Sequence, residues 1–230
     1  MLRMLRIRTQ RAFVRLVFRL LYYEANWAYP LSAWLVSVGA WRQWQRLLLK
    51  EVEGKKVLEV GFGPGWLLKD LQKEGYYPVG IDLSPAMTDK ALRYVPEVPL
   101  VRGDGRCLPF DDASFDTVIM CFAGLCFTPL ALNEASRVLI PGGRLAITEI
   151  VNLKPKRPLE WLARFLWGLT ETDEIPSAEN LLEQAGLQAS SCWVRLGFAE
   201  VQIIVGEKLE PRANTARVSE LKKYGSYRVE

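Results

Sequence analysis

Three carboxylates in this chain stand where an apolar run gives way to a turn. Glu59 lies in Val57-Leu58-Glu59-Val60, Asp82 closes Val79-Gly80-Ile81-Asp82, and Asp104 follows Leu100-Val101-Arg102-Gly103. The first run leads into Gly61-Phe62-Gly63-Pro64-Gly65-Trp66. Glycines 61, 63 and 65 allow φ values that side chains forbid and let backbone come close to a ligand. Trp66 stands where a dinucleotide fingerprint needs glycine, and the Lys-Ser/Thr of a phosphate-cradling loop is missing. The turn therefore suits a nucleoside ligand without a pyrophosphate.

In an open α/β sheet, ligands bind beyond the carboxyl ends of the strands. An acid ending the second strand accepts both ribose hydroxyls there, which is the role read for Asp82. Asp104 can accept from an adenine amino group, while Gly105 exposes an N–H to a ring nitrogen. Any one of these acids alone reads as a cap or turn residue, and Ser84 is itself a good helix N-cap. Three acids at successive strand ends, with the glycine turn, make S-adenosylmethionine (SAM) the expected cofactor.

The chain has no His. Ser-His and Cys-His mechanisms and His-based metal sites are thereby excluded. A base, if one is needed, must be Glu, Asp, Tyr or water, and the candidates are Tyr22, Tyr23, Glu24, Tyr29 and Glu149. Glu149 ends the fifth strand on the substrate side, where a salt bridge or cap would be its ordinary role. Cys107, Cys121, Cys126 and Cys192 form no C-x-x-C pair, so no zinc knot is expected. Reduced thiols in a cytoplasmic protein are the default.

These residues need a scaffold of alternating strands and helices. Strands are predicted at 56–60, 77–82, 98–102, 115–121 and 143–150, and helices at 65–74, 84–94, 130–139 and 177–186. Alternation with short connections implies a doubly wound, mostly parallel sheet covered on both faces. Residues 190–197 and 199–207 read as a terminal antiparallel hairpin. The insertion 152–170, with Trp161, Phe165 and Trp167 on a helical pattern, is read as a lid over the ligand crevice. Residues 51–208 form the catalytic domain, 1–50 a helical arm and 209–230 a polar tail.

The net charge of +4 is carried by the arm: residues 1–50 hold +8, leaving −4 over 51–230. That disfavours a broad nucleic-acid surface and points to a local anionic partner. Residues 1–23 carry six Arg and no acid, with Arg8, Arg11, Arg15 and Arg19 in one helical stripe. The run is too interrupted for a signal peptide or a membrane span. A basic amphipathic helix on an anionic membrane surface fits best. A helix packed on the domain and a mitochondrial transit peptide are the other readings. Residues 31–50 are read as one apolar helix with Trp34, Trp41 and Trp44 on a single face, either core or an aromatic belt at a lipid boundary.

The chain resembles the class I SAM-dependent methyltransferases, in the group of the ubiquinone/menaquinone C-methyltransferases and bacterial phospholipid N-methyltransferases. The matching segments are VLEVGFGPG (57–65), GIDLSP (80–85), GDGRCLPFDDASFDTV (103–118) and EASRVLIPGGRLAI (134–147). The resemblance implies a seven-stranded sheet with a final antiparallel strand. It sets Glu59, Gly61 and Gly63 against the methionine part of SAM, Asp82 on the ribose and Leu83 on the adenine. Asp104 and Gly105 would read the adenine edge, and Cys121 and Phe122 would line the methionine end. Core packing is the equal alternative for Cys121 and Phe122. Ser37-Val38-Gly39-Ala40-Trp41-Arg42-Gln43-Trp44 is similar to the S-x-G-x-x-R-x-W lead-in of the quinone enzymes. Their Tyr-Asp pair is Tyr29-Pro30 here, and the His they carry after the fourth strand falls in apolar Phe122-Ala123-Gly124-Leu125-Cys126-Phe127. The acceptor expected is thus lipophilic, a phospholipid amine or a quinone-type ring, met from the inner face of the membrane. A soluble small-molecule methyltransferase, its first helices a pocket cap or dimer contact, is the alternative; a non-catalytic SAM-binding protein is the third reading.

Overall fold

The computed structural model describes residues 26–122, 128–168, 178–210 and 228–229. The calls on Tyr22, Tyr23, Glu24, the amphipathic stripe of residues 1–23 and Ala123 to Phe127 lie outside them.

Eight strands form one sheet: β1 (Lys56–Val60), β2 (Tyr77–Asp82), β3 (Leu100–Arg102), β4 (Phe115–Cys121), β5 (Leu139–Leu153), β6 (Leu187–Leu196), β7 (Ala199–Lys208) and β8 (Arg228–Val229), in the order β3-β2-β1-β4-β5-β7-β6-β8. Strands β3 to β5 run parallel in this order, and β7 is antiparallel between β5 and β6. The expected seven strands are all there, and the short β8 adds one more, parallel to β6. The chain leaves β1 toward β2 and β3, then returns to place β4 on the other side of β1. That reversal opens a crevice at the carboxyl ends of β1 and β4.

Alternation along each strand sends successive side chains to opposite faces. Leu58, Val60, Met120 and Ile147 pack with Leu132 and Leu182 of the helices α5 (Pro129–Val138) and α7 (Ala178–Gln184). Val57, Ile119, Cys121 and Ala146 pack on the other face with Leu67 and Leu71 of α3 (Trp66–Lys73) and with Leu48. All of these but Cys121 are at most 1% exposed. Burying each of the large ones stabilises the fold by about 1.5–3 kcal/mol. Helix α4 (Pro85–Tyr94) starts where expected: Ser84 Oγ accepts from the N–H of Met87 at 3.3 Å, and Pro85 opens the first turn.

Residues 31–50 are not one helix. They form α1 (Tyr29–Ser37), α2 (Trp41–Gln45) and a 3-10 segment Arg46–Glu51. The break is made by Val38 and Gly39 at φ 51 and 81, with the Gly39 N–H donating to Trp34 O at 3.0 Å, a left-handed helix stop. The three tryptophans are separated accordingly. Trp34 is 48% exposed, while Trp44 is fully buried against Leu47, Phe198 and Val201. Strand β5 begins earlier than expected, at Leu139, because Leu139 already pairs with Phe115 before a register shift toward Arg144. The insertion after β5 carries helix α6 (Pro158–Gly168), which packs against α1 and buries Ala163. Among the described residues, no helix is long and apolar enough to cross a membrane.

Candidate cofactor and acceptor site

The glycine turn bridges β1 and α3, held by backbone bonds from Gly61 N–H to Ile81 O (2.8 Å) and from Gly65 N–H to Phe62 O (3.0 Å). Gly61, Gly63 and Gly65 all have left-handed φ, at 78, 54 and 81. A side chain on Gly65 would also press on Ala91 and Val95 at 3.1 Å. Asp82 reaches over from β2 and spans the turn. Its Oδ2 accepts from Gly63 N–H and its Oδ1 from Ser84 N–H, both at 2.8 Å. Each oxygen keeps a further lone pair for a ligand hydroxyl. Burial holds Asp82 above its ordinary value, and the two backbone donors pull against that rise.

Glu59 is 1% exposed, and its Oε2 has no hydrogen-bond partner among the described residues. Burial, then the neighbouring Asp82 charge, raise it well above the usual carboxylate range, while the positive charge of Arg42 opposes them. A shielded, partnerless carboxyl oxygen beside a glycine turn fits a cationic amino group. Leu83, next to Asp82, is 55% exposed and offers an apolar surface to a flat ring. Gly105 is buried, and a Cβ there would meet Val60 Cγ1 at 2.8 Å, so backbone sits close to the end of β1. Asp104 differs from its expected state. Arg106 binds it through the backbone N–H (2.9 Å), Nε (3.0 Å) and Nη2 (2.6 Å), holding its carboxyl below the usual range. Any adenine contact by Asp104 must share it with this guanidinium.

The lead-in residues now have physical roles. Ser37 Oγ donates to Ala33 O at 2.6 Å and accepts from Trp41 N–H at 3.0 Å, joining α1 to α2. Arg42 Nη2 lies 2.6 Å from Asp70 Oδ2 on α3, and Arg46 reaches the same carboxylate at 3.1 and 3.2 Å. Tyr29 on α1 is buried with Ala33 and Met87, its ring 5.7 Å from Trp66, and its hydroxyl is 4.0 Å from where a Cβ on Gly63 would lie. Tyr29 therefore sits over the glycine turn.

At the end of β4, Cys121 and Phe122 part in character. Cys121 is buried, its thiol accepting from Thr148 Oγ1 at 3.5 Å and pushed upward by burial; it is a neutral core thiol. Phe122 is held at φ 50, a left-handed conformation costing about 1–2 kcal/mol for a residue with a Cβ. Its ring lies 4.8 Å from Trp41 and 6.5 Å from Trp44, forming an aromatic wall beside the crevice. Trp41 Nε1, Trp44 Nε1 and Gln45 Oε1 are shielded there and partnerless among the described residues; the sequence marked the two tryptophans as an aromatic face and gave no sign of Gln45. Glu149 does not end the fifth strand as expected, because β5 pairs with β7 as far as Leu153; it follows Thr148 and so faces the opposite side of the sheet from Cys121. The residue is only partly covered, yet its Oε1 is shielded and unpartnered, and burial pushes it up to about 7.

The structure thus gathers Glu59, Gly61, Gly63, Gly65, Asp82 and Tyr29 at one crevice, with Leu83 and Gly105 at its rim, and leaves Glu149 on the opposite face of β5. The arrangement has the donors, acceptors and spacing to suit a nucleoside with a cationic tail, with an aromatic wall beside it. Residues 58–147 match the family described as a methyltransferase domain. A demethylmenaquinone methyltransferase of Beutenbergia cavernae is 33% identical over 168 residues, covering 68% of this chain and 70% of that protein. A phthiotriol/phenolphthiotriol dimycocerosates methyltransferase of Mycobacterium leprae is 38% identical over 123 residues, 50% of this chain and 44% of that one. The fold is shared with a phosphoethanolamine N-methyltransferase of Haemonchus contortus solved with S-adenosylhomocysteine, at TM-score 0.58 and 17% identity, covering 75% of this chain and 53% of that chain.

Proposed function

The chain belongs to the class I SAM-dependent methyltransferases related to the quinone methyltransferases, and we propose that its methyl acceptor is a lipophilic molecule taken from a membrane surface. SAM supplies a methyl group on a sulfonium, ready for in-line displacement. What remains for the chain is to bind, orient and exclude water.

In this reading Asp82 holds the ribose hydroxyls, Glu59 faces the amino group of the methionine part, and the turn from Gly61 to Gly65 carries the backbone against it. Leu83 and Gly105 bound the adenine, with Asp104 sharing its edge with Arg106. Tyr29 closes the turn from above. The observation that carries the acceptor class is the aromatic wall of Trp41 and Phe122 beside this crevice, backed by the buried Trp44, a surface suited to a ring or an acyl chain and free of charge. The relatives named for menaquinone and for a mycobacterial lipid support the same class. Tyr29 is the proposed proton-handling group over the glycine turn, and Glu149, on the opposite face of β5 and titrating near neutrality, is the second candidate.

The arm of residues 1–23 would dock on anionic lipid at the inner face of the membrane through its six Arg, at about 1 kcal/mol each. The tie between Arg42, Arg46 and Asp70 favours a second role for the segment that follows, as a cap on the cofactor. The test is a radiolabelled-methyl assay on a total lipid extract, resolved by chromatography. Label in a quinone or phospholipid fraction supports the proposal. Label only in water-soluble acceptors refutes it.

A further inference from the structure

Two helices that touch each other both present apolar side chains to solvent. On and just before α1, Trp27, Leu31 and Trp34 are 77%, 57% and 48% exposed. On α6, Trp161, Leu162 and Phe165 are 59%, 45% and 64% exposed. The spacings are i, i+4, i+7 on the first and i, i+1, i+4 on the second, so each set forms a stripe. Helices α1 and α6 pack side by side, which puts the two exposed stripes on neighbouring elements. Trp27, Trp161 and Phe165 alone leave on the order of 400 Å² of aromatic surface in water. That is the size of the largest apolar patch on a typical soluble monomer, and such a patch is often a functional surface.

We infer that the α1–α6 face is a lipid-contact surface, seated in the headgroup region of an anionic bilayer. Its aromatic content is what that region favours. Its charge is complementary to anionic headgroups. Residues 154–168 hold Lys156, Arg157 and Arg164 beside Glu160, with Lys154 paired to Glu200, and residues 26–37 carry no charge. Lys156 and Arg157 are exposed at the start of α6, at the edge of the patch. The one acid is turned to structure: Glu160 Oε2 accepts from the N–H groups of Lys156 and Arg157 at 2.6 and 3.0 Å. The six Arg of residues 1–23 lead in sequence straight to Trp27. A second copy of the chain is the poorer occupant, because self-pairing would bring these cationic margins together.

The inner sides of the same helices reach the site. Tyr29 and Ala33 of α1 pack on Met87 beside the glycine turn, and Ala163 and Trp167 of α6 join the cluster that holds Trp41, Trp44 and Phe122. Resting on the lipophilic-acceptor reading, the face is where such an acceptor leaves the bilayer for the crevice.

The experiment uses the full chain with phosphatidylcholine vesicles containing phosphatidylglycerol, comparing wild type with Trp161→Glu/Phe165→Glu and, separately, Trp34→Glu. S-adenosylhomocysteine affinity reports that each variant folds. The expected result is vesicle partition weakened about tenfold or more in both variants, with cofactor affinity unchanged. Unchanged partition overturns the inference. So does a wild-type dimer by analytical ultracentrifugation that the substitutions dissociate. Label transfer to lipid that fails in every protein, while partition still depends on these residues, removes the acceptor reading and leaves the surface standing.

Discussion

The N–H of Gly63 donates to Oδ2 of Asp82 at 2.8 Å, so the acid proposed to hold the ribose also fixes the turn that carries the cofactor. The glycine turn and the second strand end are one device: position 63 supplies a left-handed φ of 54 that points its N–H across to β2.

Asp82→Ala removes the acceptor for Gly63 and Ser84 and the proposed ribose contacts together. Hydrogen bonds to a charged group contribute about 1.5–3 kcal/mol each, so S-adenosylhomocysteine affinity is expected to fall more than about 100-fold by calorimetry. Asp82→Asn, which keeps one acceptor oxygen, is expected to lose less. Affinity unchanged in both variants would reject the site.

Glu59 sits well above the ordinary carboxylate range because it is buried and near Asp82. Without ligand it retains its proton at pH values where an exposed Glu has lost it. A cationic amino group placed against Oε2 draws the carboxylate out, so SAM binding should release a proton. Calorimetry in buffers of different ionisation enthalpy should show this release, and Glu59→Gln should abolish it. Affinity for SAM should rise with pH across the window where Glu59 titrates. A heat independent of buffer would show that Glu59 does not meet the ligand.

Asp70 is almost fully buried, while its partners Arg42 and Arg46 expose 35% and 55% of their side chains. Removing Arg42 therefore leaves a covered carboxylate short of its nearer partner, and Arg46 alone does not replace it. Arg42→Ala is expected to cost about 1–2 kcal/mol in denaturant unfolding and Arg46→Ala less than about 1. Because α2 sits beside the aromatic wall, Arg42→Ala should also raise KM for the acceptor. A double substitution with Asp70→Asn should cost less than the sum of the single ones. Full additivity would mean that the pair does not dock the segment.

Much of this was legible in the sequence because parallel strands buried on both faces are continuous apolar runs. Val57 to Val60, Val79 to Asp82 and Phe115 to Cys121 fall where those runs lie. Ser84 is a helix cap that the chain spells out. The unbroken helix over 31–50 failed because apolar periodicity outweighed Gly39, whose positive φ ends α1. Asp104 looked available because sequence order says nothing of Arg106 folding back two residues onto it. The partner of Arg42 is 28 residues away on another helix, so the lead-in motif could be noticed but not explained. The shielding of Glu149 is likewise a product of packing between β5 and its neighbours, with no local signature.

Glu149 gives the sharpest pH test. Burial raises it from 4.5 to about 7, so the folded state holds its proton more tightly than the unfolded state does. Between those values the native protein binds more protons, and stability must fall as pH rises through the window, then level off above about 7. The full shift corresponds to about 3 kcal/mol; because the residue keeps some contact with water, about 2 is the expected loss. Glu149→Gln carries no such penalty. It should match wild type near pH 4 and exceed it by about 2 kcal/mol near pH 8 in denaturant unfolding. Activity should move the opposite way. A base works only when ionised, so wild-type kcat should rise with pH to a plateau above about 7, and Glu149→Gln should lose about 100-fold with a flat profile. Tyr29→Phe is the control for the other candidate. A wild-type slope that survives in Glu149→Gln would move the proton-handling role away from β5, whereas a stabilised but inactive variant would show that Glu149 is kept for chemistry at the expense of the fold.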